Sequence, residues 1–438
     1  MQKVGYNIKR GEEKMLIQFN FENYKSFKND NSLDLTATKI SEHNNRVVSI
    51  ANDRLLRIAA IYGANAGGKS NVHDAFRFMS KYVLQSFAFG GERANKKRRQ
   101  LPVKPFMFDK ISQKEKSTFE VFFIDQTDSS LKSYQYGFSL KGAIVAEEWL
   151  YYKSKTARRD YKTIFYRDAD NNKLDFEKIT EKQSENIKTS LEPETLIVSL
   201  GAKLKIPSLK MVYNWFSNNE AIDFSNDFES LFRLNMLPDG FVEDINVQDR
   251  VVQFFNSFDE SIIGFDINKI IIEDDDDDKE KYIINAKHKI INSDEVAVIP
   301  LQDESKGTLE MFSLFPYMQD VLQKGSVLFV DELNTKLHPL LVRNIILTFA
   351  NPEINTKNAQ LIFTAHDSWQ LSNNLLRRDE IWFTEKDANG ISSLYSLADF
   401  VDEAGVKIRK DESYEKNYLL GKYGAIPSLK TIDFLREE

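Results

Sequence analysis

The sequence predicts a mixed α/β fold: a sheet core, an antiparallel β-meander and an inserted helical segment. Three observations predict it. The apolar run Ile58–Tyr62 reads as a buried strand, and Val72, Ala75, Phe76, Met79 and Val83 repeat at helical spacing soon after it. Strand-like runs at Phe119–Ile124, Tyr134–Leu140, Ala143–Tyr152 and Thr163–Tyr166 are separated by turn residues at meander spacing. From about 175 to 262 the pattern is polar and helical, with no sustained heptad.

Taken in order, Met15–Phe21 alternates like a half-buried strand, and Ser32–Thr36 reads as a second. The segment Gly63-Ala-Asn-Ala-Gly-Gly-Lys-Ser70 then fits G-x4-G-K-[ST] between the buried strand and the helix. Such a loop turns backbone N–H groups and a helix N-terminus toward phosphates. Its candidate nucleotide-binding residues are Gly63, Asn65, Gly67, Gly68, Lys69, Ser70 and Asn71. Lys69 is expected to neutralise the β/γ-phosphates and Ser70 to hold Mg²⁺. Residues 90–118 read as a linker, with Gly90-Gly91, a basic run, Pro102 and Pro105. After the meander and the helical segment, Ile262–Ile272 and Tyr282–Ile291 resemble a hairpin broken by an acidic turn, and the nucleotide-binding layout resumes from 297. Three segments are therefore expected: 1–175, a helical insertion at 176–262, and 263–438.

Composition narrows the classes. Hydrophobic residues make up 42% and charged residues 29%, a globular balance. The absence of cysteine excludes disulfides and thiolate metal sites. A net charge of −7 argues against a surface coated by nucleic acid, though not against a local basic groove. No signal-type segment and no apolar run near the roughly 18 residues of a membrane span occur, so a soluble cytoplasmic protein without membrane contact is expected.

Three later segments extend the phosphate loop. Val327-Leu-Phe-Val-Asp-Glu332 is a buried strand delivering two carboxylates to its C-terminal edge. Asp331 is expected in the Mg²⁺ shell, with Glu332 polarising the attacking water. Leu361-Ile-Phe-Thr-Ala-His366 is a second such strand, whose histidine is either structural or a sensor of the γ-phosphate. Glu304-Ser-Lys-Gly-Thr308 precedes an apolar helix, and Ser305 is either a plain helix cap or, with Gly307, part of an anion site.

Together these segments resemble the ABC-type ATPase heads of the SMC, RecF and OLD group, and among them the RloA-like "AAA ATPase" proteins of bacterial abortive-infection and anti-phage systems. Phe19-Asn-Phe-Glu-Asn-Tyr-Lys-Ser-Phe27 is similar to their opening strand and turn. Gly63–Asn71 is similar to the phosphate loop, Lys104–Asp109 to a stretch after it, Glu304–Thr308 to a shortened signature motif, and Asp331–Pro339 to the Walker B and D-loop. Thr364-Ala-His366 resembles the switch histidine, and Tyr418–Pro427 the C-terminal Y-x-x-G-x-Y-G-A-x-P run. The resemblance implies ATP and Mg²⁺ as cofactors. It also implies a homodimer in which Ser305 and Gly307 complete the partner's ATP site, with Glu332 and His366 as catalytic residues. A separately encoded effector, such as a nuclease, is implied as well, because the 72 residues after His366 are too few for a TOPRIM nuclease. Asn334 departs from the usual D-loop aspartate. No glutamine lid is placed, since Gln100 follows a basic run.

Two charge runs stay open. Arg93, Lys96, Lys97, Arg98 and Arg99 would either contact nucleic-acid phosphates or form a solvated loop. Asp274–Asp278 reads as a solvated loop tip, with cation binding or docking to a neighbour's basic segment as alternatives. Beside the defence ATPase stand two further readings: a RecF-like DNA maintenance ATPase that binds DNA directly, and a binding module whose nucleotide site is only structural.

Overall fold

The computed structural model describes residues 14–50, 53–89, 101–125, 132–154, 161–233, 237–238, 240–256, 260–272, 279–401, 405 and 407–426. Arg93–Arg99, Gln100 and Asp274–Asp278 lie outside the described residues. The chain divides into two compact units. One comprises Met1–Ile222, Val321–Glu332 and Ile346–Glu438; the other comprises Asp223–Asp320 and Leu333–Ile345. The segment 176–262 is thus divided between them.

In chain order the elements begin with β1 (Lys14–Glu22), β2 (Asn31–Asp34), β3 (Val48–Ile50), β4 (Asp53–Leu55), β5 (Ile58–Gly63) and α1 (Lys69–Gln85). Next come β6 (Ser117–Asp125), β7 (Lys132–Lys141), β8 (Ile144–Ser154), β9 (Lys162–Asp168) and β10 (Lys173–Phe176). Then follow α2 (Glu181–Ser190), α3 (Ile197–Lys203), α4 (Pro207–Ser217), β11 (Glu220–Asp223), α5 (Asp227–Arg233) and α6 (Ile245–Asn256). After them come β12 (Ile262–Ile272), β13 (Lys279–Lys289), β14 (Val296–Pro300) and α7 (Lys306–Lys324). The chain continues with β15 (Val327–Asp331), α8 (Pro339–Ala350), β16 (Gln360–Thr364), β17 (Ile381–Lys386), β18 (Ser392–Ser396) and α9 (Tyr414–Leu419).

The first unit holds two large sheets. One is antiparallel, in the order β10-β9-β8-β7-β6-β1-β2. Alternation explains its single buried face: Phe119, Val121 and Phe123 of β6 point into the core while Thr118 and Glu120 do not. The other sheet has the order β11-β15-β16-β5-β17-β18. Strands β15, β16, β5 and β17 run parallel, and β18 turns back antiparallel. Strands β5, β15 and β16 are buried along their whole length, which is why they read as unbroken apolar runs rather than alternating ones.

Helix α1 packs between the sheets. Phe76 meets Phe19 of β1 edge-on at 5.4 Å and Phe329 of β15 at 5.8 Å. Phe78 and Tyr82 pack on Phe119 and Phe138 of the antiparallel sheet. Gln360, fully buried at the start of β16, ties the sheets by hydrogen bonds. Its Oε1 accepts from Leu16 N–H at 2.7 Å, and its amide donates to Leu16 O and Leu56 O at 2.9 Å each. The β1–β6 register shifts between Leu16 and Gln18, and the glutamine satisfies the backbone groups beside that irregularity.

Strands β10 and β11 depart from the sequence reading. Each has four residues, too short for a period to declare itself, and β11 adds a strand to the mixed sheet inside the stretch expected to be helical. The second unit contains the hairpin β12–β13, extended by β14 into a three-stranded sheet. Its core gathers Phe241, Val251, Phe255, Phe265, Phe312 and Phe315. Among the described residues no helix is long and apolar enough to cross a membrane.

Two buried carboxyls have a consequence for stability. Glu148 of β8 accepts from the N–H groups of Ile197 and Val198 at 2.6 and 3.1 Å and from Tyr136 Oη at 3.1 Å. Burial outweighs these bonds and pushes its carboxyl from 4.5 up to about 7. Glu380 is pushed up to about 7 in the same way, chiefly by burial. The folded chain therefore keeps protons that the unfolded chain has already released. The stability from each group is complete below the unfolded value near 4.5 and is lost as pH rises through about 7. Melting temperature is predicted to fall between pH 5 and pH 8, and Glu148→Gln to flatten part of that fall. Thermal melts across the range check this; a melting temperature that rises over the same interval contradicts it.

Candidate functional site

The site is built at the C-terminal edge of the parallel strands. Strand β5 ends at Gly63, and the chain turns through Ala66, at a φ of 61°, to Gly68. Glycine is required at two of these positions. At Gly63 a Cβ would stand 2.4 Å from Thr384 O of β17. At Gly68, with φ of 121°, it would stand 2.8 Å from Ser392 Oγ and 3.1 Å from the Phe27 ring. The loop is therefore pressed onto its neighbours.

Hydroxyls and amides hold it there. Ser392 Oγ lies 2.8 Å from both Gly67 O and Ser26 Oγ, Ser392 N–H donates to Ser26 O at 2.7 Å, and the Asn71 amide donates to Ser26 Oγ at 2.7 Å. Ser26 belongs to the Phe19–Phe27 run. Asn23 of the same run, at a φ of 51°, accepts from Phe106 N–H at 3.0 Å and donates to Ser112 O at 2.8 Å, joining that run to the Lys104–Asp109 stretch. Lys69 is buried. Its ammonium donates to Gly63 O at 2.8 Å and Ala64 O at 3.2 Å. Burial lowers its pKa, opposed by the charges of Glu332 and Asp331.

Strand β16 lies between β5 and β15, so its last residue, Thr364, neighbours the end of β15. The Thr364 hydroxyl donates to Asp331 Oδ1 at 2.5 Å and accepts from Glu332 N–H at 2.8 Å. Asp331 is 3% exposed. At Glu332 the backbone enters the left-handed region, φ of 54°, which turns the chain sharply at the strand end.

A cavity of about 540 Å³ opens over these groups, lined by Asn65, Gly68, Lys69, Ser70, Glu332 and His366, with Ala66, Asn71 and Lys386. Most of the candidate residues thus meet in one place. Gly63 and Gly67 shape the loop beneath it, and Asp331 lies behind it on β15. Lys386, at the end of β17, was missed by the sequence reading. The only signal was its position between an apolar strand and the Asp387–Gly390 turn.

The C-terminal motif buttresses that strand. Phe383 of β17 packs on Tyr418 at 5.4 Å and Tyr423 at 5.7 Å, and Tyr395 Oη donates to Tyr423 O at 2.7 Å. Gly424, with φ of 68°, fits beside Glu385, where a Cβ would stand 2.8 Å from Glu385 Oε2.

Ser305 and Gly307 belong to the second unit. Ser305 accepts from Thr308 N–H at 3.1 Å, capping α7. A Cβ on Gly307 would meet only Ser305 Oγ, at 3.8 Å, so packing within the chain does not demand glycine there. Glu304 receives the His288 ring at 2.7 Å. Lys336, shortly after Asn334, bonds Asp227, Ser230 and Glu310 at 2.9, 2.9 and 3.0 Å, and Arg233 stands 3.6 Å from Glu310. The segment after Glu332 is thereby tied to α5 and α7 inside this unit.

A buried-strand, glycine-loop and helix unit beside a parallel strand tipped with acids defines a P-loop NTPase fold. The chain belongs to the family described as "AAA domain, putative AbiEii toxin, Type IV TA system", whose profile matches residues 58–368. It is an ATPase of the AAA type. Among solved structures, the crystal structure of the SmcHead bound to the C-winged helix domain of ScpA is similar to it, with 13% identity, a TM-score of 0.41, and 87% of this chain and 97% of that chain covered. No curated protein matches the chain.

The crowding at the loop makes a direct prediction. Gly68→Ala should destabilise the protein by about 1–3 kcal/mol, since the added methyl meets Ser392 and Phe27 and the backbone conformation disfavours a side chain. Chemical denaturation measures it; a variant as stable as the parent contradicts the packing described.

Proposed function

We propose that the chain is an ATP-hydrolysing homodimer whose nucleotide state gates a separately encoded effector in bacterial anti-phage defence of the abortive-infection kind. The observation that carries the ATPase part is the convergence of Lys69, Ser70, Glu332 and His366 on one cavity, with Asp331 held behind it. In this reading the loop N–H groups and Lys69 hold the phosphates. Lys69, now bonded to loop carbonyls, exchanges them for phosphate oxygens. The residues fit Mg²⁺: Ser70 offers a hydroxyl and Asp331 a carboxylate already oriented by Thr364, and the ion would supply charge neutralisation between the β- and γ-phosphates. Glu332 orients and polarises the attacking water, and His366 senses the γ-phosphate.

Dimerisation rests on Ser305 and Gly307. Their turn is exposed or half-buried, and the glycine is uncrowded within its own chain. Both features suit a backbone that a partner's γ-phosphate approaches closely. ATP binding then becomes association energy, because the liganded state is the dimeric one. The family description names a toxin of a Type IV TA system, which supports a two-component defence role. The Tyr418–Pro427 run supports the RloA-like branch. A cytoplasmic location follows from the same reading.

Lys69→Ala is expected to abolish ATP hydrolysis. Glu332→Gln is expected to bind ATP, hydrolyse it at least about 100-fold more slowly and accumulate as a dimer. Gly307→Val should stay folded and bind ATP but lose the ATP-dependent dimer. Phosphate-release assays and mass photometry with and without ATP read these outcomes. Parental hydrolysis by Lys69→Ala would overturn the site, and an unchanged dimer in Gly307→Val would overturn the role of the signature turn.

A further inference from the structure

Lys386 lines the nucleotide cavity, and the proposed function gives it no duty. It reaches the cavity because of its hairpin. Lys386 of β17 pairs with Ser392 of β18, and partners across an antiparallel pair place their side chains on one face of the sheet. The Ser392 hydroxyl lies on the loop, 2.8 Å from Gly67 O, so Lys386 shares the face turned toward the loop. Thr384, two residues earlier and on that same face, stands against Gly63. The carboxylates flanking Lys386 are engaged elsewhere. Glu385 points to the opposite face and accepts from Tyr395 Oη at 3.4 Å. Asp387 closes the β17–β18 turn, accepting from the N–H groups of Asn389 and Ile391 at 2.9 and 2.8 Å. Lys386 itself is exposed, and among the described residues none pairs with its ammonium.

We propose that Lys386 is a second phosphate-binding cation of the nucleotide site, acting on the polyphosphate from the side of the loop opposite the acids. The inference rests on the ATPase reading of this cavity and deepens it. Strand order sets the two sides. Asp331 and Glu332 follow β15 and His366 follows β16, on one side of β5, whereas Lys386 ends β17 on the other. Charge balance supplies the need. A nucleoside triphosphate carries roughly four negative charges, and Mg²⁺ with Lys69 offsets about three of them. Asp331 and Glu332 add two carboxylates to the same site. The helix N-terminus returns only about half a unit of positive charge. A single further cation is therefore worth most here. A lysine suits the task, because its ammonium is a point charge on a flexible stem and can follow the phosphates as they settle.

Displacement of a fluorescent ATP analogue from the full chain in Mg²⁺, by ATP and separately by inorganic tripolyphosphate, tests the proposal. Lys386→Gln should weaken both competitors by at least about fivefold and by similar factors, because the lost contact is to phosphate. Its ATP affinity should also depend less on salt than the parent's. Lys386→Arg should stay within about threefold of the parent, since it keeps the charge. Lys178→Gln, at an exposed lysine outside the cavity with the same change in net charge, should bind as the parent does. All three variants should melt with the parent, which separates a lost contact from a damaged fold. Parental ATP binding by Lys386→Gln would overturn the assignment while leaving the ATPase reading intact. So would a loss confined to ATP, with tripolyphosphate unaffected or never competing, which would put the lysine on the base or ribose. Equal losses in Lys386→Gln and Lys178→Gln would reduce the effect to net charge and overturn it too. A parent that binds no ATP would overturn the reading of the cavity itself, and the role of Lys386 with it.

Discussion

One hydroxyl organises the acidic strand edge of this protein. Thr364 Oγ1 donates to the buried Asp331 carboxylate and accepts from the Glu332 N–H, so its one proton and one of its lone pairs are used on the two acids. The constraint comes from strand order. Because β16 is inserted between β5 and β15, the phosphate loop and the acidic pair are separated by one strand, and the residue at that strand's end holds the acids. A buried carboxylate without a donor costs free energy. One held by a hydroxyl keeps a lone pair in a defined direction. The sharp turn at Glu332 follows directly, since its N–H is anchored while its backbone enters the left-handed region.

The loop opposite is held by a comparable economy of small polar groups. Ser26 and Ser392 come from distant parts of the sequence and meet at Gly67 and Asn71. The first unit is therefore closed around its loop by both ends of the chain: the turn after β1 on one side, and the β17–β18 hairpin with its aromatic C-terminal support on the other. Gly63 and Gly68 have no side chain because those supports occupy the space.

Much of the site was legible in the sequence because its chemistry restricts residue type at fixed spacing. The strand, glycine loop and lysine must be contiguous, and acids at a strand's end follow an apolar run. The antiparallel sheet was legible because alternation in β6 to β9 encodes its single buried face. What escaped was carried by single residues with many possible duties. Gln360 is a polar residue in a buried run, and only the two sheets together show why it is there. Lys386 is one lysine among many, Ser26 and Ser392 are small hydroxyls with no pattern, and β10 and β11 are shorter than any period needs. Thr364 itself read as part of a strand, its bridging role set by a neighbour more than thirty residues away.

In the proposed function, the Thr364-anchored acids and the glycine loop form one magnesium–nucleotide site. Isothermal titration of ATP into the full chain, with Mg²⁺ and then with EDTA, for the parent and for Thr364→Val, tests it most directly. Valine keeps the shape of the strand end and removes only the hydroxyl. Mg²⁺ should tighten ATP binding by about tenfold or more in the parent, and most of this gain should disappear in the variant while binding in EDTA is unchanged. An equal magnesium gain in both proteins, or no ATP binding by the parent, would contradict it.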